Sequence, residues 1–184
     1  MKISIFSRRR GQDPSFEEMV APHLERLHRL AYRYSGNQAD AEDLIQDLLV
    51  KLIPRTEELR KVEQLHPWLV KALYRLHIDR FRKTSRSPVD AGYDEHINHR
   101  AEANPNDMSP ARVGLIRDLH AALQYLNEEQ RALVIMHDIE SYTLTELEVI
   151  LDTPVGTLKS RLHRSRAKLR KLLKEGTVSL QQAC

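Results

Sequence analysis

This chain of 184 residues has little of what several large protein classes require. Its one cysteine, Cys184, stands at the end of the chain and can form no internal disulfide, which suits a reducing compartment. Only 6 glycines are present and no alternating apolar run of useful length occurs, which argues against sheets. No apolar stretch approaches the roughly 20 residues of a membrane-spanning helix. Arg8-Arg-Arg10 looks like the opening of an export signal, but Gly-Gln-Asp-Pro follows where an apolar stretch is required. Phosphate-cradling glycine loops, nucleophile–base patterns and internal repeats are all missing. His96 and His99 make one His-x-x-His without further ligands at useful spacing, so neither a metal nor a cofactor is expected. The expected protein is soluble, cytoplasmic and not an enzyme.

What the chain does have is helical periodicity. With 41% hydrophobic residues it can bury one modest core or two small ones. The expected fold is all-α, two small helical domains joined by a flexible linker, the C-terminal one a helix-turn-helix. The N-terminal domain, residues 14–85, reads as three main helices. The first is capped within Pro14-Ser-Phe-Glu-Glu18 and carries Phe16, Met19, Val20, Leu24, Leu27, Leu30, Ala31 and Tyr34 on one face. The second opens at Ala39-Asp-Ala-Glu-Asp43, is expected to bury Leu44, Ile45, Leu48, Leu49, Leu52 and Ile53, and ends at Pro54. The third runs from about Pro67 to Lys83, burying Trp68, Leu69, Ala72, Leu73, Leu76 and Phe81, with Lys71, Arg75 and Arg82 along another stripe. Trp68 reads as core rather than as a platform for stacking bases. Residues 86–112, proline-bearing and without helical period, form the expected linker, and 113–175 the second domain.

Charge is concentrated in one place. Between Val155 and Lys174 there are eight Lys or Arg and no acid, although the whole chain carries only +3. Such a local bias points to a polyanion, with DNA the usual one, although a basic amphipathic helix taken alone can equally be a solvated surface. Leu158, Leu162, Leu169 and Leu172 form its apolar stripe, Thr153 is the expected cap and Pro154 the expected first helical residue. Just upstream, Thr143-Leu-Thr-Glu146 has the form of a capping box, and Leu144, Leu147, Ile150 and Leu151 make a short amphipathic helix. Two short helices joined by so tight a turn, the second basic, are the layout of a helix-turn-helix. At the other end of the chain, Asp40, Glu42 and Asp43 either favour a helix N-terminus electrostatically or form a docking ridge for a basic partner.

Four segments taken together resemble one family. Asp40-Ala-Glu-Asp-Leu-Ile-Gln-Asp47, Trp68-Leu-Val-Lys-Ala-Leu-Tyr-Arg-Leu-His-Ile-Asp79, Leu126-Asn-Glu-Glu-Gln-Arg131 and Pro154-Val-Gly-Thr-Leu-Lys-Ser-Arg-Leu-His-Arg-Ser-Arg166 occur in the order and spacing of bacterial sigma factors of the extracytoplasmic-function group. The resemblance implies that Asp40, Glu42, Asp43, Gln46 and Asp47 dock on the beta-prime clamp helices of RNA polymerase. It implies that Lys71, Arg75, Arg82 and Lys83 hold single-stranded minus-10 phosphates, with a flipped-out base held by the loop Arg55 to His66. It implies minus-35 contacts from Thr157, Lys159, Ser160, Arg161, His163, Arg164 and Arg166. Partners implied are the polymerase core, including the beta flap, promoter DNA and an anti-sigma factor. Three positions depart from the family pattern: Arg75 where Asn is common, Asp152 where Gly is usual, and Glu148 in place of a small residue. Glu148 is expected to pair with Lys159 or Arg161, or to lie at an exposed edge. Rival readings are a dimeric helix-turn-helix regulator acting without polymerase and a small nucleic-acid enzyme, the latter disfavoured because no carboxylate cluster lies near the basic helix.

Overall fold

A computed structural model describes residues 13–86, 114, 118–119 and 121–174, and every described element is helical. The expected linker, apart from its first residue, lies outside the described residues, as do His96 and His99.

Local chemistry sets the helix ends. Helix α1, Phe16–Ser35, opens on a capping box: Ser15 Oγ accepts from the Glu18 amide at 3.2 Å, and the Ser15 amide donates to Glu18 Oε2 at 2.9 Å. It stops at Gly36, whose φ of 80° suits glycine and turns its N–H onto the Tyr32 carbonyl at 2.8 Å. One residue later Asn37 caps α2, Gln38–Leu52, by accepting from the Asp40 amide at 2.8 Å. A 3-10 turn, Ile53–Arg55, and a single turn of helix, α3, Thr56–Leu59, lead to α4, Leu65–Arg86. Leu27, Leu30, Leu44, Leu48, Leu69 and Leu73 close the core of this unit.

In the C-terminal unit residues 118–119 and 121–124 are helical. Helix α5, Glu128–Val134, has a capping box between Asn127 and Gln130 and runs into a π-helical turn, Ile135–Ile139. Helix α6, Leu144–Leu151, is capped by the Thr143–Glu146 box, and α7, Val155–Lys174, follows after Asp152, Thr153 and Pro154. Leu133, Met136, Leu147, Ile150, Leu158 and Leu162 are all buried between these helices.

The two units pack on each other, α4 lying against α6. The linker is long enough for them to stand apart, so this contact is a finding that sequence reasoning did not supply. Some apolar placements also differ from expectation. Phe81, near the end of α4, is 45% exposed instead of buried. Ile53 is 55% exposed, because α2 ends at Leu52 and the 3-10 turn rotates the next side chain out of the core. Trp68 is only partly buried and carries the Arg55 guanidinium over its ring at 5.2 Å.

Candidate nucleic-acid interface

At 100° per residue, Leu158, Leu162, Ser165 and Leu169 fall on one side of α7, and all four are buried. Lys159, Ser160, His163 and Arg164 therefore share the opposite side, and each is exposed. Ser160 donates to the Thr157 carbonyl at 2.8 Å, which leaves its oxygen lone pairs outward, and Arg164 lies along its own helix, 3.4 Å from the Ser160 carbonyl. Thr157 is exposed at the helix start. Arg161 and Arg166 stand on the flanks and are paired, Arg161 at 3.7 Å from Glu129 and Arg166 with both carboxylate oxygens of Asp138. The outward face is thus a cationic surface of helical width, with its two edge arginines tied to the protein.

The start of α7 is built differently from expectation. Thr153 does not cap it: its hydroxyl donates back to the Leu151 carbonyl at 3.0 Å. Pro154 precedes the helix rather than beginning it, and its carbonyl accepts from Leu158. Glu148 supplies the cap, accepting from the Val155 amide at 3.1 Å. Glu148 is exposed, and its carboxylate meets the helix N-terminus instead of Lys159 or Arg161. Asp152 takes the left-handed conformation, φ 49° and ψ 43°, that its place in the turn demands.

On α4, Lys71 is partly buried and Arg75, Arg82 and Lys83 are exposed. Lys71 and Arg75 both reach Asp152, whose carboxyl is held below the usual carboxylate range, chiefly by the Lys71 hydrogen bond. Asp40, Glu42, Asp43, Gln46 and Asp47 are all exposed along α2. Asp40 accepts from the Asn37 side chain at 2.6 Å, Glu42 from Gln38 at 2.6 Å, and Asp47 from Arg80 of α4.

Glu140 escaped the sequence reading. The π-helical turn, closed by the Glu140 amide on the Ile135 carbonyl at 2.9 Å, aims its side chain into the contact between units. There it receives Arg29 at 3.2 Å and Arg33, and is 3% exposed. Nearby, His66 shares a 2.9 Å hydrogen bond with the Tyr142 hydroxyl. Burial, then Arg26 and His23, lower the ring to about 4. The only sequence signal was the row Arg26, Arg29, Arg33 on one face of α1. Among the described residues no group of three or more His, Cys, Asp or Glu is placed to hold a metal ion, and no helix is long and apolar enough to cross a membrane.

Two compact helical units, one a helix-turn-helix with an outward basic helix, define a DNA-reading class of protein. Family models sharpen this: Sigma-70 region 2 matches residues 19–87, and Sigma-70, region 4 matches residues 116–169. The chain is 36% identical over 177 residues to the ECF RNA polymerase sigma factor SigE of Mycolicibacterium smegmatis, a match covering 92% of this chain and 66% of that relative. It is 30% identical over 151 residues to the RNA polymerase sigma factor SigV of Bacillus subtilis, covering 82% of this chain and 86% of SigV. The fold is shared with the sigma factor RpoE of Bartonella quintana, solved in complex with the anti-sigma factor NepR, at a TM-score of 0.62 and 24% identity over 86% of this chain and 96% of that one. The chain belongs to the sigma-70 family of RNA polymerase sigma factors, in its extracytoplasmic-function group. It is accordingly a promoter-specific transcription initiation factor.

Proposed function

We propose that the chain divides promoter recognition between its two units. Residues 14–85 dock on the polymerase clamp through Asp40, Glu42, Asp43, Gln46 and Asp47 and grip the melted minus-10 strand through Lys71, Arg75, Arg82 and Lys83. The segment from Arg55 to His66 takes a flipped-out base, whose unstacking costs a few kcal/mol that stacking and hydrogen bonds must offset. Residues 113–175 read the minus-35 element in the major groove. Lys159, Ser160, His163 and Arg164 make its inner contacts, Thr157 a phosphate contact, and Arg161 and Arg166 supporting ones.

The observation that carries this reading is the outward face of α7, where those four inner-contact residues stand exposed together, opposite the buried leucines. Residues 86–112 span the two elements, since on the order of 90 Å of extended chain exceeds their separation of roughly 60 Å. The protein works in the cytoplasm, without catalysis of its own, and is restrained by an anti-sigma factor, as the relative RpoE is found bound to NepR. Run-off transcription with core polymerase over a promoter library tests the assignment. Initiation from a defined promoter set is expected, and the set should narrow or vanish for the double variant Lys159→Ala, Arg164→Ala. Tight, specific duplex binding without any initiation would favour the polymerase-independent regulator instead.

A further inference from the structure

Helix α7 carries a glycine that the fold does not call for. Gly156 stands in the first turn with helical backbone, and among the described residues only Gly36 is a glycine of positive φ. Packing does not require it either: a Cβ at this position meets no atom within 4 Å. Alanine would therefore fit. It would also favour the helix, because glycine gives up more backbone freedom on folding.

Its place on the helix points outward. At 100° per residue Gly156 projects between His163 and Ser160, on the side opposite Leu158, Leu162 and Leu169, and all three of these outward residues are exposed. Lys159 and Arg164 stand on either side of the same arc, so a patch of bare backbone lies between two cations. A helix with its side chains is about 10–12 Å across and the major groove about 12 Å wide, so one side chain more or less decides how deep the helix sits. The charge beside this turn bears on which part of a duplex comes close. Glu148 holds the Val155 amide at 3.1 Å and puts a carboxylate next to the first turn. That charge disfavours a phosphate there and leaves the uncharged base-pair edges unopposed. Thr157, 100° farther round, faces the flank instead, where phosphates run.

We propose that Gly156 is a specificity-determining position of the minus-35 contact, its missing side chain letting the first turn of α7 seat against base-pair edges on the floor of the major groove, between Lys159 and Arg164. The inference rests on the assignment of the outward face of α7 to the minus-35 duplex. Depth matters to readout because base pairs differ at the groove floor by groups as small as the thymine methyl. Gly156 thus acts without a hydrogen bond from a side chain. It sets how far the neighbouring side chains reach.

The test uses holoenzyme reconstituted from the full chain and core polymerase, on a duplex carrying the strongest promoter recovered by run-off transcription, with thermal melts of the free chain beside it. Gly156→Ala should melt a few degrees above the parent yet bind about tenfold more weakly, and Gly156→Val more weakly still. The salt dependence of binding should stay that of the parent, since no phosphate contact is lost. Binding at the parent's affinity would overturn the inference, because nothing then sits close to the turn. A lower melting temperature would overturn it too, because the fold then needs the glycine. A salt dependence reduced by about one counterion would assign the approach to a phosphate and overturn the base-edge contact. The double variant Lys159→Ala, Arg164→Ala separates the underlying assignment. If it binds as tightly as the parent, the outward face is not the reader; if it weakens while Gly156→Ala does not, the inference about Gly156 alone fails.

Discussion

Glu148 shows how far a single side chain's task can lie from its sequence neighbourhood. Its place on α6, three residues before Leu151 and four after Leu144, suggested a carboxylate that pairs with Lys159 or Arg161 or lies at an exposed edge, and exposed it is. The turn through Asp152 brings the first amide of α7 back over it, and the carboxylate meets a partial positive charge of the backbone instead. No local pattern gives this away, because the donor is seven positions downstream and is aimed by the left-handed residue between. Glu148→Ala should lower thermal stability by about 1 kcal/mol, the usual loss for a helix cap, while Glu148→Gln, which keeps an acceptor, should lose less. Thermal melts of the three proteins at one ionic strength check it. An alanine variant melting with the parent would mean that water replaces the carboxylate at no cost.

Among the elements, α7 was the most legible and the π-helical turn the least. The leucine period of α7 fixes which side is buried, and with it which basic residues face outward, whatever surrounds the helix. Leu162, 3% exposed, sits in the middle of that stripe, and truncating it to alanine should cost about 2–5 kcal/mol in chemical denaturation. Arg164 should behave in the opposite manner. Its truncation should leave stability alone, weaken duplex binding, and reduce the salt dependence of binding by about one counterion if its contact is to phosphate. The π-helical turn depends on an i→i+5 bond that no propensity encodes, so Glu140 could not be placed in advance. Ile53 misled for a related reason: the helical pattern continues through it in sequence, while the backbone tightens at Pro54 and turns it outward.

For the whole molecule, the division into two helical units was readable from composition and period, and their contact was not. Its hydrogen bonds join residues 51 to 114 positions apart, beyond the reach of any local pattern. Stability should depend on pH through groups from both units. His66 faces Arg26 and His23 from α1 and Tyr142 and Glu146 from the C-terminal unit. Burial, then Arg26 and His23, lower its ring to about 4 from the ordinary 6.5, so the unfolded chain takes up a proton that the folded one refuses. This contribution is at full strength above pH 6.5 and weakens as pH falls toward 4. Glu128 acts in the same sense at lower pH: burial raises its carboxyl, but His77 and Arg131 outweigh that and hold it below the usual range, so acid costs the folded form a favourable charge. The thermal midpoint should fall as pH is lowered from 7 to 5, and a His66→Phe variant should show a smaller fall.

The acids of the C-terminal unit reach two separate helices of the other, Asp152 onto α4 and Glu140 onto α1. Loss of one of these anchors leaves the other engaged, so the freed turn remains tethered a short distance away at a local concentration on the order of millimolar. Rebinding then outruns parting. Single ruptures heal, and the units separate only when both anchors open together.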